Sequence, residues 1–402
     1  MLFILTIEIW KTQKCVKIIR DIIQYCIRNL IKHPNGEPIF MQLEYIREIC
    51  ALFDISAEPV SYEPYGNGNI NSTYRVTFTD GSRCILQKIN VSVFKNPEQL
   101  MANVIGVTNF VGKKLAECYG DVERGTLSFF MTKNGRPYAT DSKGGVWRMS
   151  RYIENTTAYD SADKEGLLYE AACAFGNFQA LLGDYPADTL YETIPDFHNT
   201  VARYNAFEEA LAKNAAGRAQ SVAEEIDVLR SYSSRACVVT SKLADGTLPT
   251  RVTHNDTKLN NVLIDDDTLK GICVIDLDTV MPGSLLYDFG DSVRFAANHG
   301  AEDDEDLSNV WLDLSLFKEY ASGFLCGVGD SITKAEKELL PMSVFLLTYE
   351  LALRFMTDYL NGDTYFKIKY PEHNIVRTRA QIRLMQDVDA KLGEMSEIIA
   401  RL

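Results

Sequence analysis

Two short stretches of the chain carry polar side chains in the order that a phosphoryl transfer requires. The first contains Asp256 and, five residues later, Asn261; the second is an apolar run that ends at Asp276. One carboxylate can orient an attacking hydroxyl and accept its proton, while an amide oxygen and a second carboxylate hold Mg²⁺ against phosphates. The pattern therefore predicts Asp256 as the catalytic base and Asn261 and Asp276 as metal ligands.

The segments between these residues favour a β-hairpin. Residues 261–264 form a short apolar strand, an acidic turn follows at 265–267, and a second apolar strand runs toward Asp276. Such a hairpin brings ligands at its two ends together, as the catalytic-loop Asp, the Asn and the metal Asp of protein kinases do. Asp278 would face the same way as Asp276 in a continuing strand, so it is a candidate second ligand. The alternative is that Asp256 is a turn residue and Asn261 a cap.

The triplet Asp288-Phe289-Gly290 lies further along the chain. Its letters match the metal-binding triplet of protein kinases, but it follows Pro282 and Gly283 and is too distant to close the same hairpin. We therefore expect Asp288 and Asp291 to support the catalytic loop rather than to bind metal.

A glycine-rich stretch near the N-terminus could hold phosphates. Gly66 and Gly68 allow backbone amides to approach an anion, and Ser72 and Thr73 add hydroxyl groups. An ordinary hairpin turn has the same composition, but the acidic set downstream favours nucleotide binding. In the next strand Gln87 and Lys88 face opposite sides. Lys88 is the candidate cation for the nucleotide; a solvated strand lysine is the alternative.

Longer strings carry a resemblance to a known superfamily. Residues 63–74, 251–265, 274–295 and 369–384 resemble the aminoglycoside phosphotransferase and choline kinase superfamily, and within it the N-acetylhexosamine 1-kinases of bacterial hexosamine metabolism. The resemblance covers about Met41 to the C-terminus. It implies an α+β, two-lobed protein-kinase-like fold with a small β-rich N-lobe and a large, mainly helical C-lobe.

The same resemblance implies an activity and further site residues. The activity is ATP- and Mg²⁺-dependent phosphorylation of the anomeric hydroxyl of N-acetylglucosamine or N-acetylgalactosamine. Arg354 and Tyr365 would grip the sugar, together with Asn71 and Asp256, and Ile153 and Glu154 would complete the nucleotide site. Relatives carry histidine at the position of Asn69, so a contact made by that group differs here.

Three alternatives remain open from the residues. Arg354 could be an ion-pair partner on an apolar helix. The acceptor could be another sugar, an aminoglycoside or a choline-like amino alcohol, and the last requires a cage of aromatic and acidic groups, for which residues 303–306 supply acids. Outside enzymes, the chain could be a nucleotide-binding pseudokinase scaffold, against which the intact Asp256, Asn261 and Asp276 argue.

Composition restricts the partners and the compartment. The 402 residues include 41 basic and 55 acidic side chains, for a net charge of −14. This balance argues against broad binding of nucleic acid or anionic membranes, which need basic patches. Nine cysteines without a Cys-x-x-Cys pair favour reduced thiols in a reducing, cytoplasmic compartment. The oligomeric state stays open, with a monomer favoured.

Periodicity divides the chain into three regions. Residues 1–40 form an extension of unclear role: their apolar start is too short to span a bilayer, and a basic amphipathic helix could follow. Residues 41–154 are predicted to be the nucleotide-binding lobe, with helices at 42–53 and 97–115 and strands within 65–79 and at 83–89, 127–132 and 146–153. Residues 155–402 are predicted to form the catalytic and substrate-binding lobe.

Overall fold

The structure is a computed structural model that describes residues 43–66, 70–118, 120–162 and 164–402. The predicted extension 1–40, Gly68 and Asn69 lie outside the described residues. The described chain divides into two compact units. The smaller one contains residues up to Pro97 and Phe129–Tyr152, and the larger one contains Glu98–Ser128 and Ile153–Leu402. The roles assigned from sequence to 41–154 and 155–402 stay predictions.

The smaller unit is built on one antiparallel sheet of five strands in the order β1-β2-β3-β5-β4. Its elements are α1 (Leu43–Cys50), β1 (Pro59–Pro64), β2 (Ser72–Phe78), β3 (Arg83–Ile89), β4 (Ala139–Thr140) and β5 (Val146–Arg151). Alternate residues of β2 and β3 are buried, and α1 packs with them around the fully buried Trp147. Period-two burial on one face is what a half-buried sheet requires.

The larger unit is mainly helical. Its helices are α2 (Pro97–Glu117), α3 (Val122–Gly125), α4 (Leu167–Leu181), α5 (Thr200–Lys213), α6 (Ala223–Ser231), α7 (Val238–Ala244), α8 (Leu285–Ala296), α9 (Leu314–Val328), α10 (Lys334–Asn361) and α11 (His373–Arg401). Two small sheets accompany them, with the strand orders β6-β8-β9 and β10-β7. The strands are β6 (Thr156–Ala158), β7 (Arg251–Thr253), β8 (Val262–Asp265), β9 (Gly271–Val274) and β10 (Met281–Gly283). A small β-rich part and a large helical part confirm the predicted α+β class.

The predicted hairpin is confirmed as β8 and β9, which pair antiparallel. Its turn is held by Asp265, whose Oδ1 accepts hydrogen bonds from the backbone N–H and the hydroxyl of Thr268. Both contacts favour the ionised carboxylate, so the pKa of Asp265 lies well below its usual range. The turn therefore closes through a local side-chain bond typical of aspartate.

Two expectations about strands are wrong. The second strand of the hairpin does not continue to Asp278: it ends at Val274, Asp276 adopts a left-handed conformation with φ 59°, and Leu277–Thr279 form a short 3₁₀ turn. Residues 127–132 do not form a regular strand, because only isolated bridges form at Phe129 and Thr132. In the first segment a local turn, and in the second a pair of isolated bridges, replace the ladder of hydrogen bonds that alternation alone suggested.

A buried ion pair fixes β7, the strand that leads into the loop of Asp256. Arg251 Nε and Nη2 donate to Glu336 Oε1 and Oε2 at 2.5 and 2.8 Å, and both side chains are buried. Glu336 also completes a capping box with Thr333 at the start of α10. One carboxylate thus connects β7 to the N-terminus of α10, a long and largely buried helix.

Helix α10 is long and apolar enough to cross a membrane by length and composition. In this structure, however, 83% of its most apolar window is buried against the rest of the protein. It is the only such helix in the described residues. Neighbouring helices thus cover the apolar surface that lipid would otherwise cover.

We expect Glu336→Gln to lower the free energy of unfolding by about 3 kcal/mol, because the change leaves Arg251 charged and buried without its partner. Glutamine can also complete a capping box, so the loss of stability measures the contribution of the ion pair. Urea unfolding and calorimetry measure it. The matched control is Glu338→Gln, which removes an exposed pair with Lys334 on the same helix and should leave the midpoint unchanged. Equal effects from the two variants would contradict the assignment.

Candidate functional site

The loop that carries Asp256 is held by one buried carboxylate. Asp288 Oδ2 accepts the backbone N–H of His254 at 2.9 Å, and Oδ1 accepts that of Asn255 at 2.8 Å. Gln179 on α4 donates to Oδ2 at 2.7 Å. Burial raises the pKa of Asp288, while His254 and these donors oppose the rise. The expectation that Asp288 supports the loop is confirmed; Asp291 instead pairs with Arg294.

Further contacts with α8 and with the 3₁₀ turn Leu277–Thr279 fix the backbone beside Asp256. Thr257 Oγ1 donates to the backbone oxygen of Asp288 at 2.7 Å, and Ser292 Oγ donates to that of Thr257 at 2.5 Å. Asn255 has φ 65°, and its Nδ2 donates to the backbone oxygen of Thr279 at 2.8 Å. Asparagine tolerates the left-handed region better than most residues, so the loop is bent at Asn255 and Asp256 follows the bend.

The sequence prediction omitted Lys258. Its Nζ lies 2.8 Å from Asp256 Oδ1. Burial lowers the pKa of Lys258. The negative charge of Asp256 and the hydrogen bond from Lys258 to Asp256 outweigh this effect, so the pKa of Lys258 lies above its ordinary value. The ammonium group is therefore charged beside the proposed base. The sequence feature that could have identified Lys258 is its position two residues after Asp256, on the same loop.

Backbone contacts bring together the segments that carry Asn261 and Asp276, the predicted metal ligands. Asn261 Nδ2 donates to the backbone oxygen of Asp256 at 2.7 Å and lies 3.4 Å from Asp256 Oδ2, which directs the amide oxygen Oδ1 away from Asp256. The N–H of Ile275 donates to the backbone oxygen of Asn261 at 2.9 Å, so Asp276 follows directly. Asp278 is buried in the next turn.

This donor set fits a hard divalent cation. Carboxylate and amide oxygens are its preferred ligands, and Mg²⁺ in nucleotide sites takes one or two carboxylates together with phosphates. Among the described residues, no three His, Cys, Asp or Glu side chains are grouped so that they could hold a metal ion. A cation held by Asp276 and Asn261 would therefore need phosphate oxygens as well.

A buried histidine connects the catalytic loop to Arg354. His198 Nε2 lies 3.3 Å from the backbone oxygen of Asn255, and its Nδ1 lies 2.8 Å from Glu350 Oε1. Burial lowers the pKa of His198, but Glu350 outweighs it and the net direction is upward. Arg354 is one helical turn beyond Glu350. Its guanidinium lies 5.6 Å from the ring centroid of Phe197, the residue before His198.

Arg354 is bounded by aromatic rings. The ring centroid of Phe366 is 5.5 Å from its guanidinium, and within the described residues Arg354 has no carboxylate partner within 4 Å. Phe366 in turn packs edge to face against Tyr365, which is 71% exposed. The two predicted sugar-binding residues therefore lie on one surface, and the ion-pair alternative for Arg354 has no support in these contacts.

One carboxylate shapes the loop that carries Tyr365. Asp358 is 4% exposed, and its Oδ1 accepts the backbone N–H of Thr364 and of Tyr365, both at 2.8 Å. Its Oδ2 accepts the N–H of Phe366 and the side-chain amide of Asn374, both at 2.9 Å. Three consecutive backbone donors thus converge on one side chain, which no sequence pattern indicated.

The nucleotide-binding candidates fall in both units. Gly66 has φ 74°, which favours glycine, and Ser72 is buried at the start of β2. In the same unit, Asn71 Oδ1 accepts the backbone N–H of Asn90 at 2.9 Å. In the larger unit, the backbone oxygen of Ile153 accepts the Thr156 hydroxyl at 2.9 Å, and that of Glu154 accepts Arg124 Nη2 at 3.2 Å.

Strand β3 separates its two candidate polar groups as alternation requires. Gln87 Nε2 donates to Thr73 Oγ1 at 3.1 Å, and its Oε1 accepts Arg148 Nε at 2.9 Å. Lys88 lies on the other face, with Nζ 6.0 Å from the ring centroid of Trp147. The buried Arg148 is a second cation in this unit that the sequence reading did not select.

We expect Asp288→Asn to loosen the catalytic loop, because an amide NH₂ would replace one of the two oxygens that face backbone N–H groups. Losing a charged acceptor is worth about 1.5–3 kcal/mol, so amide exchange in the peptide that covers residues 253–258 should accelerate about tenfold or more. Hydrogen–deuterium exchange measures this. Asp313→Asn is the control, since Asp313 caps α9 and asparagine caps equally well. If amide exchange in this peptide is unchanged in Asp288→Asn, Asp288 does not hold the loop.

Solved structures of similar fold cover most of the chain. An aminoglycoside phosphotransferase from Alicyclobacillus acidocaldarius subsp. acidocaldarius DSM 446 has a TM-score of 0.61 at 13% identity, over 92% of this chain and 100% of that one. A microcompartment-associated aminopropanol kinase has 0.54 at 14%, over 88% and 99%. An amicoumacin kinase, hAmiN, in complex with AMP-PNP, Ca²⁺ and Ami has a TM-score of 0.51 at 15% identity, over 92% of this chain and 96% of that one. These likenesses confirm the two-lobed kinase-like fold.

The family is shown by a match that extends over most of the chain. The model of the phosphotransferase enzyme family, APH, matches residues 61–322. That range includes the glycine-rich stretch, the loop of Asp256 and the hairpin up to Asp276. The chain is therefore a member of the phosphotransferase enzyme family.

Proposed function

We propose that this phosphotransferase moves the γ-phosphoryl group of ATP to the anomeric hydroxyl of an N-acetylhexosamine, giving the 1-phosphate. The observation that carries the proposal is the grouping of Asp256, Lys258 and Asn261 on one loop held by the buried Asp288. A general base, a cation and an oxygen ligand are the groups that transfer from ATP to an alcohol needs.

Each group has a distinct role in the proposed reaction. Asp256 orients the acceptor hydroxyl and takes its proton. Lys258 supplies positive charge where the transferring phosphoryl group carries negative charge. Asn261 and Asp276 would hold Mg²⁺, with Asp278 as a further candidate, and a divalent cation there would offset the negative charge of the phosphates. Alignment and charge compensation account for most of the acceleration, since the loose transition state leaves little covalent work for the protein.

The nucleotide is proposed to be ATP. Its phosphates would lie against the stretch of Gly66, Gly68, Ser72 and Thr73, and Ile153 and Glu154 would contact the base. Lys88 is the candidate cation and pairs across the sheet with Ser72, whereas Thr73 pairs with Gln87 on the other face. The amicoumacin kinase complex, which contains AMP-PNP and Ca²⁺, supports a triphosphate nucleotide with a divalent cation. Net charge −14 is compatible with this, since the metal and local donors offset the phosphate charge. A cytoplasmic monomer completes the proposal.

The sugar acceptor is supported by the surface around Arg354 and Tyr365. A guanidinium donates to sugar and acetamide oxygens, and an exposed tyrosine offers a ring face and a hydroxyl. Asn71 is proposed as a further sugar contact. The contacts of His198 with Asn255 and of Phe197 with Arg354 connect this surface to the loop of Asp256.

The choline-like alternative has less support, because its acidic and aromatic groups are already engaged. Asp303 Oδ2 lies 2.8 Å from Lys369 Nζ and 2.9 Å from His373 Nε2, and these groups lower the pKa of Asp303 to about 2. The ring of Trp311 stacks on His299 with centroids 4.7 Å apart. An open cage for a quaternary ammonium group is therefore not formed by these residues.

We expect Asp256→Asn to reduce turnover by roughly two orders of magnitude or more, within the usual range for general-base catalysis. The affinity for Mg-ATP should remain within about threefold, since one hydrogen-bonding side chain replaces another of equal size. Coupled ADP release measures turnover, and calorimetric titration with a non-hydrolysable ATP analogue measures binding. Asp267→Asn, in the exposed hairpin turn, is the matched control and should turn over normally. Near-normal turnover in Asp256→Asn would exclude it as the base.

An acceptor panel tests the substrate. ADP release with N-acetylglucosamine and N-acetylgalactosamine should exceed that with choline, ethanolamine and kanamycin, and phosphorus NMR should show a phosphate coupled to the anomeric proton. Arg354→Met should raise the KM for the sugar about tenfold, for the loss of charged hydrogen bonds, without changing the KM for ATP.

Arg379→Met is the matched control for that change, since Arg379 makes a surface ion pair with Glu225. Its sugar KM should equal that of the unmodified protein. Turnover of an amino alcohol alone would replace the sugar proposal with the choline-like alternative. Absence of ADP release with every acceptor, with nucleotide binding intact, would favour the pseudokinase.

A further inference from the structure

Helices α4 and α9 pack with their backbones in direct contact. A Cβ added at Gly323 would lie 2.2 Å from the backbone oxygen of Tyr169, and one at Gly327 would lie 2.1 Å from that of Cys173. A Cβ at Gly176 would lie 2.2 Å from the backbone oxygen of Phe324. Real Cβ atoms do not approach so closely, so only glycine permits this distance between the helices.

Two cysteines face each other across this contact. Cys173 on α4 is half-buried and Cys326 on α9 is exposed, and both are free thiols. Burial and the nearby Cys326 raise the pKa of the Cys173 thiol, and the Cys326 thiol raises the pKa of the Tyr169 hydroxyl. The backbone of Cys173 touches that of Gly327, the residue next to Cys326. A disulfide needs Cα atoms about 4.4–6.8 Å apart, which helices in backbone contact can supply.

We propose that Cys173 and Cys326 form a site of reversible oxidation, at which a peroxide converts the two thiols to an intramolecular disulfide. The Cys326 thiol takes one oxygen from the peroxide and becomes a sulfenic acid, with release of water or alcohol. The Cys173 sulfur then attacks the Cys326 sulfur, the S–O bond breaks, and the second water leaves. Two electrons pass from the two thiols to the peroxide in total, and a thiol reductant reverses the change.

The exposure of Cys326 and the raised pKa of Cys173 determine which of the two thiols is oxidised first. Burial, together with the nearby Cys326 and Glu170, raises the pKa of Cys173 to about 11, so at neutral pH it is a thiol that reacts slowly with peroxide. Cys326 is open to solvent and reacts first. Cys173 then needs only to reach the adjacent sulfur. Without that neighbour, a sulfenic acid would proceed to irreversible oxidation.

The remaining described cysteines lack this combination. Cys50 and Cys84 lie near each other but are both buried, which raises the pKa of each thiol and excludes oxidant. Cys273 is also buried, whereas Cys118 and Cys237 are exposed. Of the described cysteines, the pair on α4 and α9 is therefore the one with both an accessible thiol and a resolving partner.

The disulfide would stabilise the helix that supports the catalytic loop. Helix α4 carries Gln179, which donates to Asp288, and Phe175 and Phe178, whose rings pack edge to face on His254. A bond from Cys173 to Cys326 closes a loop of roughly 150 residues in the unfolded chain, which limits its conformational entropy. Since the thiols are already neighbours, the bond forms without displacement of α4. The oxidised protein is therefore more stable and keeps its turnover.

The experiment treats the full chain with hydrogen peroxide, alkylates free thiols, and maps disulfides by non-reducing peptide mass spectrometry. The expected result is a peptide pair that joins Cys173 to Cys326 and disappears with dithiothreitol. The melting temperature of the oxidised protein should rise by roughly 5 °C. ADP release by the oxidised protein should remain within about twofold of the reduced protein.

Two serine variants separate the site from general oxidation. Cys326→Ser should lose both the cross-linked peptide and the rise in melting temperature, while Cys237→Ser, at another exposed cysteine, should keep both. Cys173→Ser should instead accumulate the sulfinic form of Cys326, because no thiol resolves it. Full alkylation of Cys173 after Cys326 has been oxidised, or cross-links only between molecules, would overturn the proposal.

Discussion

The structure depends on one buried carboxylate that accepts two consecutive backbone N–H groups. Without Asp288, the backbone N–H groups of His254 and Asn255 would be buried and unpaired, at a cost of about 1–3 kcal/mol each. With it, the loop tolerates the left-handed conformation of Asn255, and Asp256 is held rigid at a bend. Because Gln179 reaches the same carboxylate from α4, the loop is tied to two core helices. The conformation of the loop that carries Asp256 is therefore set by buried contacts of the core.

Local patterns predicted the parts of the site that are close in sequence. The hairpin β8–β9 followed from two apolar runs around an acidic turn, and helix α2 begins at Pro97 as predicted. The supporting role of Asp288 was recognised because its position along the chain excluded the hairpin. Alternation also separated Gln87 from Lys88, although only the structure shows which one meets Arg148 and which meets Trp147.

The rest could not be read locally, for physical reasons. The chain turns at Asp276 through a positive φ that no glycine or asparagine signalled, so a continuing strand was the natural but wrong expectation. His198 and Glu350 are far apart in sequence and meet only because α10 passes the loop before α5. Lys258 was overlooked because a lysine on a polar loop is usually a solvated charge. The acceptor cannot be predicted from local patterns either. Solved structures with 13–15% identity share the fold, but a shared fold does not determine the substrate.

The loop around Tyr365 owes its shape to contacts made behind it. Asp358 accepts the backbone N–H groups of three successive residues from within the core, so the exposed side chain of Tyr365 contributes little to holding the backbone. The side of this segment that faces the core holds its shape, and the exposed side is free to contact a small molecule. Evolution or an engineer can exchange the outward groups to accommodate a different small molecule, while the phosphate chemistry some distance along the chain is inherited unchanged.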